Sequence, residues 1–178
     1  QRQMCIRDSG IVWPRGRIVG GSSSINGLVY IRGQHEDFED WKSLGADGWS
    51  YEEVLPHFRQ LERFDGGDDK YHGRSGDLPV SQLRNENAAC RAWIKAAEQT
   101  GLPANADFNG HSTHGVGAYH LSIGKRLRAS AASAFLRPAL KRANLKLITN
   151  ALVSRVEFEK GRAIGAVSYT HLRAHETH

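Results

Sequence analysis

The 178-residue chain carries 24 Lys and Arg against 19 Asp and Glu, a net charge of +5 scattered along its length. With no nucleic-acid-binding motif and no interleaving of basic and aromatic residues, the densest basic patches, Lys125-Arg126-Leu127-Arg128 and Lys141-Arg142, read as solvated faces, which excludes a nucleic-acid partner. No apolar run approaches the ~18 residues of a spanning helix, so no membrane span is expected.

Both ends, QRQMCIRDS at 1–9 and VSYTHLRAHETH at 167–178, resemble translated sequencing adaptor and are set aside from fold reasoning. Residues 10–166 are taken as natural sequence, an internal piece of a longer protein. Cys90 is then the one cysteine left, which excludes an internal disulfide and leans towards the cytosol. On an apolar helix face it reads as a small core residue.

In chain order, Trp13-Pro14-Arg15-Gly16 is a turn, and Ile18-Val19 leads into Gly20-Gly21-Ser22-Ser23-Ser24. A strand over 28–31 follows, then Arg32-Gly33 and an acidic helical stretch, Glu36–Trp41. Ser50 with Glu53 three residues on makes a capping box. The helix it opens places Tyr51, Val54, Leu55, Phe58 and Leu61 on one face, and Pro56 predicts a kink or a late start. Asp65-Gly66-Gly67-Asp68-Asp69 is a break. A helix over 87–100 shares Cys90, Trp93, Ile94 and Ala97 on one face, with Gly101 where a left-handed cap belongs. The long Gly- and Asn-rich stretch from Leu102 is irregular, as functional loops often are. Ser130–Arg142 reads as a helix with Pro138 near its middle or starting a second short one. A strand with Leu152, Ser154, Val156 and Phe158 on one face then turns at Glu159-Lys160-Gly161-Arg162 into a return strand.

Asp107, His111, His114 and His120 cluster in sequence, yet lack helical spacing or a cysteine partner, and read as loop residues with ordinary hydrogen bonds; no metal site is assigned. Gly110-His111-Ser112-Thr113-His114 fails as a nucleophile elbow because His114 stands where glycine is needed. Gly115-Val116-Gly117 opens no helix and fails as a dinucleotide fingerprint. The 65–69 break does not follow the calcium-loop pattern. What remains is Gly20-Gly21, where bare backbone can approach a ligand, with Ser22 and Ser23 adding hydroxyl donors. No Lys follows, so it is not a phosphate loop of the Walker type. Asn26 adds a donor and an acceptor able to read a heterocycle's edge. A tight structural turn is the alternative.

Gly16-Arg17-Ile18-Val19-Gly20-Gly21-Ser22-Ser23-Ser24-Ile25-Asn26, with Tyr30, Gly33 and the acidic run after it, resembles the first signature of the glucose–methanol–choline (GMC) oxidoreductases, FAD-dependent alcohol oxidases and dehydrogenases, choline dehydrogenases among them. GWSYEEVLPHFRQLE, YHGRSGDLPVS, ADFNGHSTHGVGAYH and the run from Lys125 to Ala166 follow in that family's order. The resemblance implies an α/β fold: part of a Rossmann-like FAD-binding domain (10–64 and 123–166) interleaved with part of a sheet-based substrate domain and a covering loop (65–122). It implies that Gly20, Gly21 and Ser22 run beside the flavin and its pyrophosphate. By the same resemblance Ile18 or Val19 packs near the ring, Asn26, Gly27, Leu28 and Val29 lie against its edge, and Val153 meets the adenine. Ser24 and Ile25 offer no histidine for a covalent link, so non-covalent FAD is expected. The partner implied is a small-molecule alcohol, oxidised to aldehyde or ketone by hydride transfer to flavin, with oxygen and other electron acceptors both open. The dinucleotide fingerprint is expected upstream and the catalytic histidine downstream, so no catalytic residue is assigned here. A non-catalytic flavin- or nucleotide-binding relic of the same fold is the alternative.

Overall fold

A computed structural model describes residues 2–6, 9–84 and 86–170, which fall into two units, Gln1–Pro138 and Ala139–His178. Residues 1, 7, 8 and 171–178 of the segments set aside above lie outside the described residues.

In the first unit, β1 (Arg2–Ile6) pairs antiparallel with β2 (Ser9–Trp13), so strand pairing reaches into the N-terminal segment set aside above. The glycine turn passes through one turn of 3-10 helix, Gly21–Ser24, to β3 (Val29–Tyr30), shorter than the predicted strand. Helix α1 (His35–Ser43) starts on a capping box in which the Gln34 N–H donates to Asp37 Oδ2 at 2.8 Å. Glu36 and Asp37 in its first turn and Lys42 in its last suit the helix dipole.

Helix α2 (Tyr51–Leu61) carries the predicted box: the Ser50 N–H donates to Glu53 Oε2 at 3.0 Å. Pro56 neither delays nor ends it, because at the sixth position its missing N–H removes a single ladder bond. The predicted apolar face earns that tolerance. Phe38 of α1 clusters with Tyr51 and Val54, with Leu55 and Phe58 against them, while Leu61 at the end of the predicted face is exposed. Ring centroids lie 6.0 Å apart for Phe38–Tyr51 and 5.9 Å for Phe38–Phe58, separations typical of favourable aromatic pairs.

The chain leaves α2 directly into β4 (Glu62–Arg63), which pairs parallel with β5 (Leu78–Pro79) across the glycine-rich break. Arg74 ties that break together: its guanidinium donates to the carbonyls of Phe64, Gly66 and Gly67 and to Asp69. Helix α3 (Ala88–Gln99) has the predicted position, and Gly101 is left-handed at φ +96° where the cap was expected; Asn87 precedes the helix as its N-cap, its Oδ1 accepting from the Ala89 N–H at 2.8 Å. Its burial differs from expectation. Ile94 and Ala97 are half-buried, but Cys90 is exposed and Trp93 is 67% exposed, because no other described element covers that face. Cys90 is therefore no core residue within this chain.

Strand β6 (His120–Leu121) pairs antiparallel with β3. Next comes a hairpin of β7 (Ile123–Gly124) and β8 (Leu127–Arg128), turning at Lys125 and Arg126 with φ +49° and +65°. The predicted 130–142 helix is instead a π-helical turn, Ala132–Leu136, followed by a short α-helical stretch, Arg137–Ala139. Pro138 cannot donate to a continuing ladder.

In the second unit, β9 (Ala151–Glu159) and β10 (Arg162–Thr170) form the predicted hairpin about Lys160-Gly161. Thr170 pairs with Ala151, so the return strand extends beyond Ala166 into the C-terminal segment set aside above.

The first unit is organised around a buried charge network that the sequence did not advertise. Glu62 and His72 are 0% and 1% exposed. Arg32 Nη2 donates to Glu62 Oε2 at 2.8 Å, and so does the Gly73 N–H at 2.9 Å. His72 holds Glu62 through Nδ1 at 3.1 Å and Asp107 through Nε2 at 2.8 Å. With a carboxylate on each ring nitrogen, both must carry protons. Burial alone would lower the His72 pKa, but the hydrogen bonds to Asp107 and Glu62 carry it up to about 9. Burial would raise Glu62 and Asp107, yet their bonds to His72 outweigh it and hold both below the usual carboxylate range. Two carboxylates are thus matched by two cations.

Removing one partner from such a network leaves a buried charge uncompensated. Glu62→Gln is expected to cost about 3–5 kcal/mol in denaturant unfolding. His72 titrates higher folded than unfolded, so its contribution is complete below about pH 6.5 and lost as pH rises through about 9. Glu62 and Asp107 titrate lower folded than unfolded, so theirs is present above their unfolded values and lost as pH falls through the depressed ones. Thermal melts across pH are expected to decline on both limbs, and His72→Gln should flatten the alkaline one.

Candidate functional site

The loop from Ile18 to Val29 is shaped by its glycines. Gly20 and Gly21 adopt φ +96° and +57°, left-handed conformations that favour glycine. Two such residues in succession leave nearby carbonyls and amides without ladder partners, and the serines supply them. Ser22 Oγ accepts from the Gly16 N–H at 3.2 Å, and Ser24 Oγ donates to the Val19 carbonyl at 3.1 Å. Ser23 Oγ donates to the Gly20 carbonyl and accepts from the Ala131 N–H at 2.9 Å. The hydroxyls expected to face a ligand are thus largely turned onto the loop itself. Ser23 is committed in both directions, whereas Ser22 accepts and keeps its proton.

Asn26 is likewise half committed. Its Oδ1 accepts from the Leu28 N–H at 3.2 Å and from Arg128 Nη1 at 2.7 Å, leaving Nδ2 as the polar group without a partner among the described residues. Leu28 sits at φ +68°, a conformation that costs a side-chain-bearing residue about 1–2 kcal/mol. It is held there from both ends: Asn26 takes its N–H, and the Ser122 N–H and Oγ donate to its carbonyl at 2.8 and 3.1 Å. Val29 is paired with Leu121 through the backbone while its side chain stays exposed.

Two kinds of glycine coexist here. A Cβ on Gly16 would lie 2.3 Å from the Gly21 carbonyl oxygen, so Gly16 permits the loop to fold onto itself. A Cβ on Gly21 or Gly27 would meet nothing within 4 Å. Around that open backbone Ile18 is 62% exposed, and Val19, Ile25 and Val29 are exposed too. Among the described residues the Gly27 N–H meets no protein acceptor. Bare backbone, exposed aliphatic side chains and a few outward donors (Ser22 O–H, Asn26 Nδ2, Gly27 N–H) suit a flat ligand with a polar rim, and in that sense the loop fits a flavin. Val153 lies in β9 of the second unit, opposite Ser168 and exposed.

Sequence reasoning missed Arg128, which was read with Lys125 and Arg126 as a solvated face. Lys125 and Arg126 are exposed, but Arg128 reaches back across the fold to the loop. A lone arginine in a basic run carries no sequence signal for this. The Asp107–histidine grouping also changes: Asp107 is bonded to His72, a residue the sequence did not single out. His120 is buried with Nδ1 3.8 Å from Asp107, and burial pushes its pKa down. His111 meets the Tyr71 hydroxyl at 3.4 Å.

The chain belongs to the GMC oxidoreductase family, whose model matches residues 2–177. Among curated relatives it is 44% identical over 155 residues to an oxygen-dependent choline dehydrogenase of Sinorhizobium fredii, covering 87% of this chain and 28% of that protein. A second oxygen-dependent choline dehydrogenase, of Vibrio vulnificus, is 43% identical over 156 residues, again with 28% of its length covered. The chain therefore spans little more than a quarter of the length of these relatives. Among solved structures, a pyridoxine 4-oxidase from Mesorbium loti superposes with a TM-score of 0.78 at 33% identity, covering 88% of this chain and 33% of that one. An FAD-dependent oxidoreductase from Chaetomium thermophilum gives a TM-score of 0.83 at 29% identity, with 91% and 30% covered. The mixed helix-and-strand architecture is thus part of the FAD-binding fold of this oxidoreductase family.

The two kinds of glycine separate experimentally. Gly16→Ala forces backbone apart and is expected to lose about 2–3 kcal/mol, whereas Gly21→Ala loses about 1 kcal/mol from its left-handed φ alone. Urea unfolding of both variants measures the difference; equal losses would contradict the packing role of Gly16.

Proposed function

We propose that this chain supplies the flavin-contacting loop and part of the substrate side of an FAD-dependent oxidoreductase acting on CH–OH groups. The observation that carries the proposal is the open backbone at Gly21 and Gly27 beside exposed Ile18 and Val19, in a chain of this family. Gly20, Gly21 and Ser22 would lie beside the flavin and its pyrophosphate, with the backbone open to a ligand at Gly21, where a Cβ would meet nothing within 4 Å, whereas a Cβ on Gly20 would meet Ser24 and Ala132 of the chain itself. Asn26, Gly27, Leu28 and Val29 would border the ring edge, and Val153 would meet the adenine. Residues 10–64 and 123–166 then belong to the FAD side, and 65–122 to the substrate side and its cover.

FAD, when bound, supplies hydride acceptance from the alcohol carbon, leaving an aldehyde or ketone. The loop's part is orientation and charge: the Gly27 amide and Asn26 Nδ2 present fixed donors to the cofactor rim, where negative charge develops. No histidine lies between Gly16 and Tyr30, which supports non-covalent binding. The base that takes the hydroxyl proton is assigned to a segment outside this chain, as the covered share of the relatives allows. The substrate is a small alcohol; the choline-oxidising relatives favour one of that size.

Gly27 gives the sharpest test, since it lacks a left-handed φ and has space around it. In the protein expressed with the flanking segments its relatives possess, Gly27→Ala is expected to keep stability within about 0.5 kcal/mol. FAD affinity, read by fluorescence titration, should fall about tenfold or more, the ~1.4 kcal/mol scale of one crowded methyl. Acid precipitation should release the flavin. Unchanged affinity would remove the loop from the flavin contact, and flavin retained in the pellet would overturn non-covalent attachment.

A further inference from the structure

The loop is clamped by one short hairpin, and the clamp ends in a cation. The Lys125-Arg126 turn, with both φ values positive, is the two-residue connection that reverses a hairpin tightly, although asparagine and glycine are the usual occupants. It places Arg128 opposite Ile123, and the Ala129 N–H returns to the Ser122 carbonyl at 2.9 Å. The hairpin therefore offers two groups at its base. Ser122 fixes the Leu28 carbonyl, and Arg128 fixes Asn26. Arg128 Nη1 donates to the Asn26 carbonyl and to Asn26 Oδ1, both at 2.7 Å, and approaches the Ser23 carbonyl at 3.3 Å. Just beyond it, the Ala131 N–H meets Ser23 Oγ, and a Cβ on Gly20 would lie 3.0 Å from Ala132 Cβ.

We propose that Arg128 is a positioning residue that locks the Asn26 side-chain amide with Oδ1 inward and Nδ2 outward, and that its charge, acting through Asn26, raises the reduction potential of the bound flavin; this rests on the flavin reading of the loop. Two acceptors of one residue converge on one cationic nitrogen, which removes the choice between the two amide orientations. Only one orientation presents N–H groups to the ligand. Charge-assisted bonds of this kind are about twice as strong as neutral ones. A cation bonded to the amide oxygen withdraws electron density from the amide, making its N–H groups stronger donors. It also adds positive charge where a reduced cofactor is anionic, which favours the reduced state. Lys125 and Arg126 carry the same charge three and two residues before Arg128, in the hairpin turn, but are exposed to solvent, so charge alone does not define the role.

The experiment compares Arg128→Gln, Arg128→Lys, Asn26→Ala, the Arg128→Gln/Asn26→Ala double variant and Arg126→Gln, all in the FAD-loaded protein with its flanking segments. Arg128→Gln is expected to weaken FAD binding about ten- to a hundredfold, the scale of a lost charged hydrogen bond, to alter the visible flavin spectrum and to lower the midpoint potential. Arg128→Lys, which keeps the charge, should hold the potential near that of the parent, and Arg126→Gln should change nothing. The double variant should be no worse than the poorer single one, since both changes break the same link. Should Arg128→Gln fail to fold, the Lys variant and Asn26→Ala still decide. A Lys variant whose potential drops without restoring affinity, or additive losses in the cycle, would overturn the proposal. So would a Gln variant that only melts earlier while its flavin spectrum and potential match the parent. A parent protein that takes up no FAD overturns the flavin reading itself, an outcome distinct from a parent that binds FAD and a variant that behaves identically.

Discussion

The first unit depends on placing the Glu62 carboxylate, a guanidinium and an imidazolium together out of water, with the part-exposed Asp107 carboxylate closing the network at its edge. Glu62, Asp107, Arg32 and His72 come from the end of a helix, an irregular loop, the exit of a strand and a turn, and the three buried members, Glu62, Arg32 and His72, depend on their partners at that depth. Isolated buried charges cost several kcal/mol each, so the network tolerates only the arrangement in which every charge is met. That requirement reaches into the backbone. A Cβ on Gly73 would sit 1.7 Å from the Arg59 carbonyl oxygen, and one on Gly76 2.2 Å from Leu61. These glycines let the 72–76 turn close onto the end of α2, so that the Gly73 N–H reaches Glu62.

The network then reaches the loop through polar links. The Arg32 N–H donates to Asn109 Oδ1 at 2.8 Å, and Asn109 Nδ2 donates to the Tyr30 carbonyl at 3.0 Å. Tyr30 follows Val29 in β3, whose partner strand β6 leads into the hairpin bearing Ser122 and Arg128. The exit of the loop is thus fixed by the buried charges and its crest by the hairpin. A chain held at both points can keep Leu28 in a strained conformation, because tertiary bonds outweigh a cost of about 1–2 kcal/mol.

The apolar residues divide along a different line. Phe38, Tyr51 and Val54 form a small core between α1 and α2, whereas Trp93 of α3, Ile18 and Val19 of the loop and Leu152, Val156 and Phe158 of the second unit are exposed. An isolated two-stranded hairpin is marginal in water, and β9–β10 buries neither face among the described residues. Such faces accord with a chain that spans about a quarter of its relatives' length.

Local chemistry was legible in the sequence wherever it acts over a few residues. The Ser50–Glu53 box, the apolar spacing of α2, the Asn87 and Gly101 ends of α3 and the Lys160-Gly161 turn all depend on neighbours within one turn of chain, and each stands where expected. The order of motifs from Gly16 to Ala166 was enough to identify the oxidoreductase family. Tertiary structure alone decided that Asp107 belongs to His72, that Cys90 and Trp93 lie outside the core, that Ser23 serves the loop instead of a ligand, and that Arg128 leaves its basic run to hold Asn26 across 102 residues of chain. Periodicity and capping report contacts a few residues apart; a hydrogen bond between distant residues leaves no such pattern, and a charge reads as solvated until the fold provides it with a buried partner.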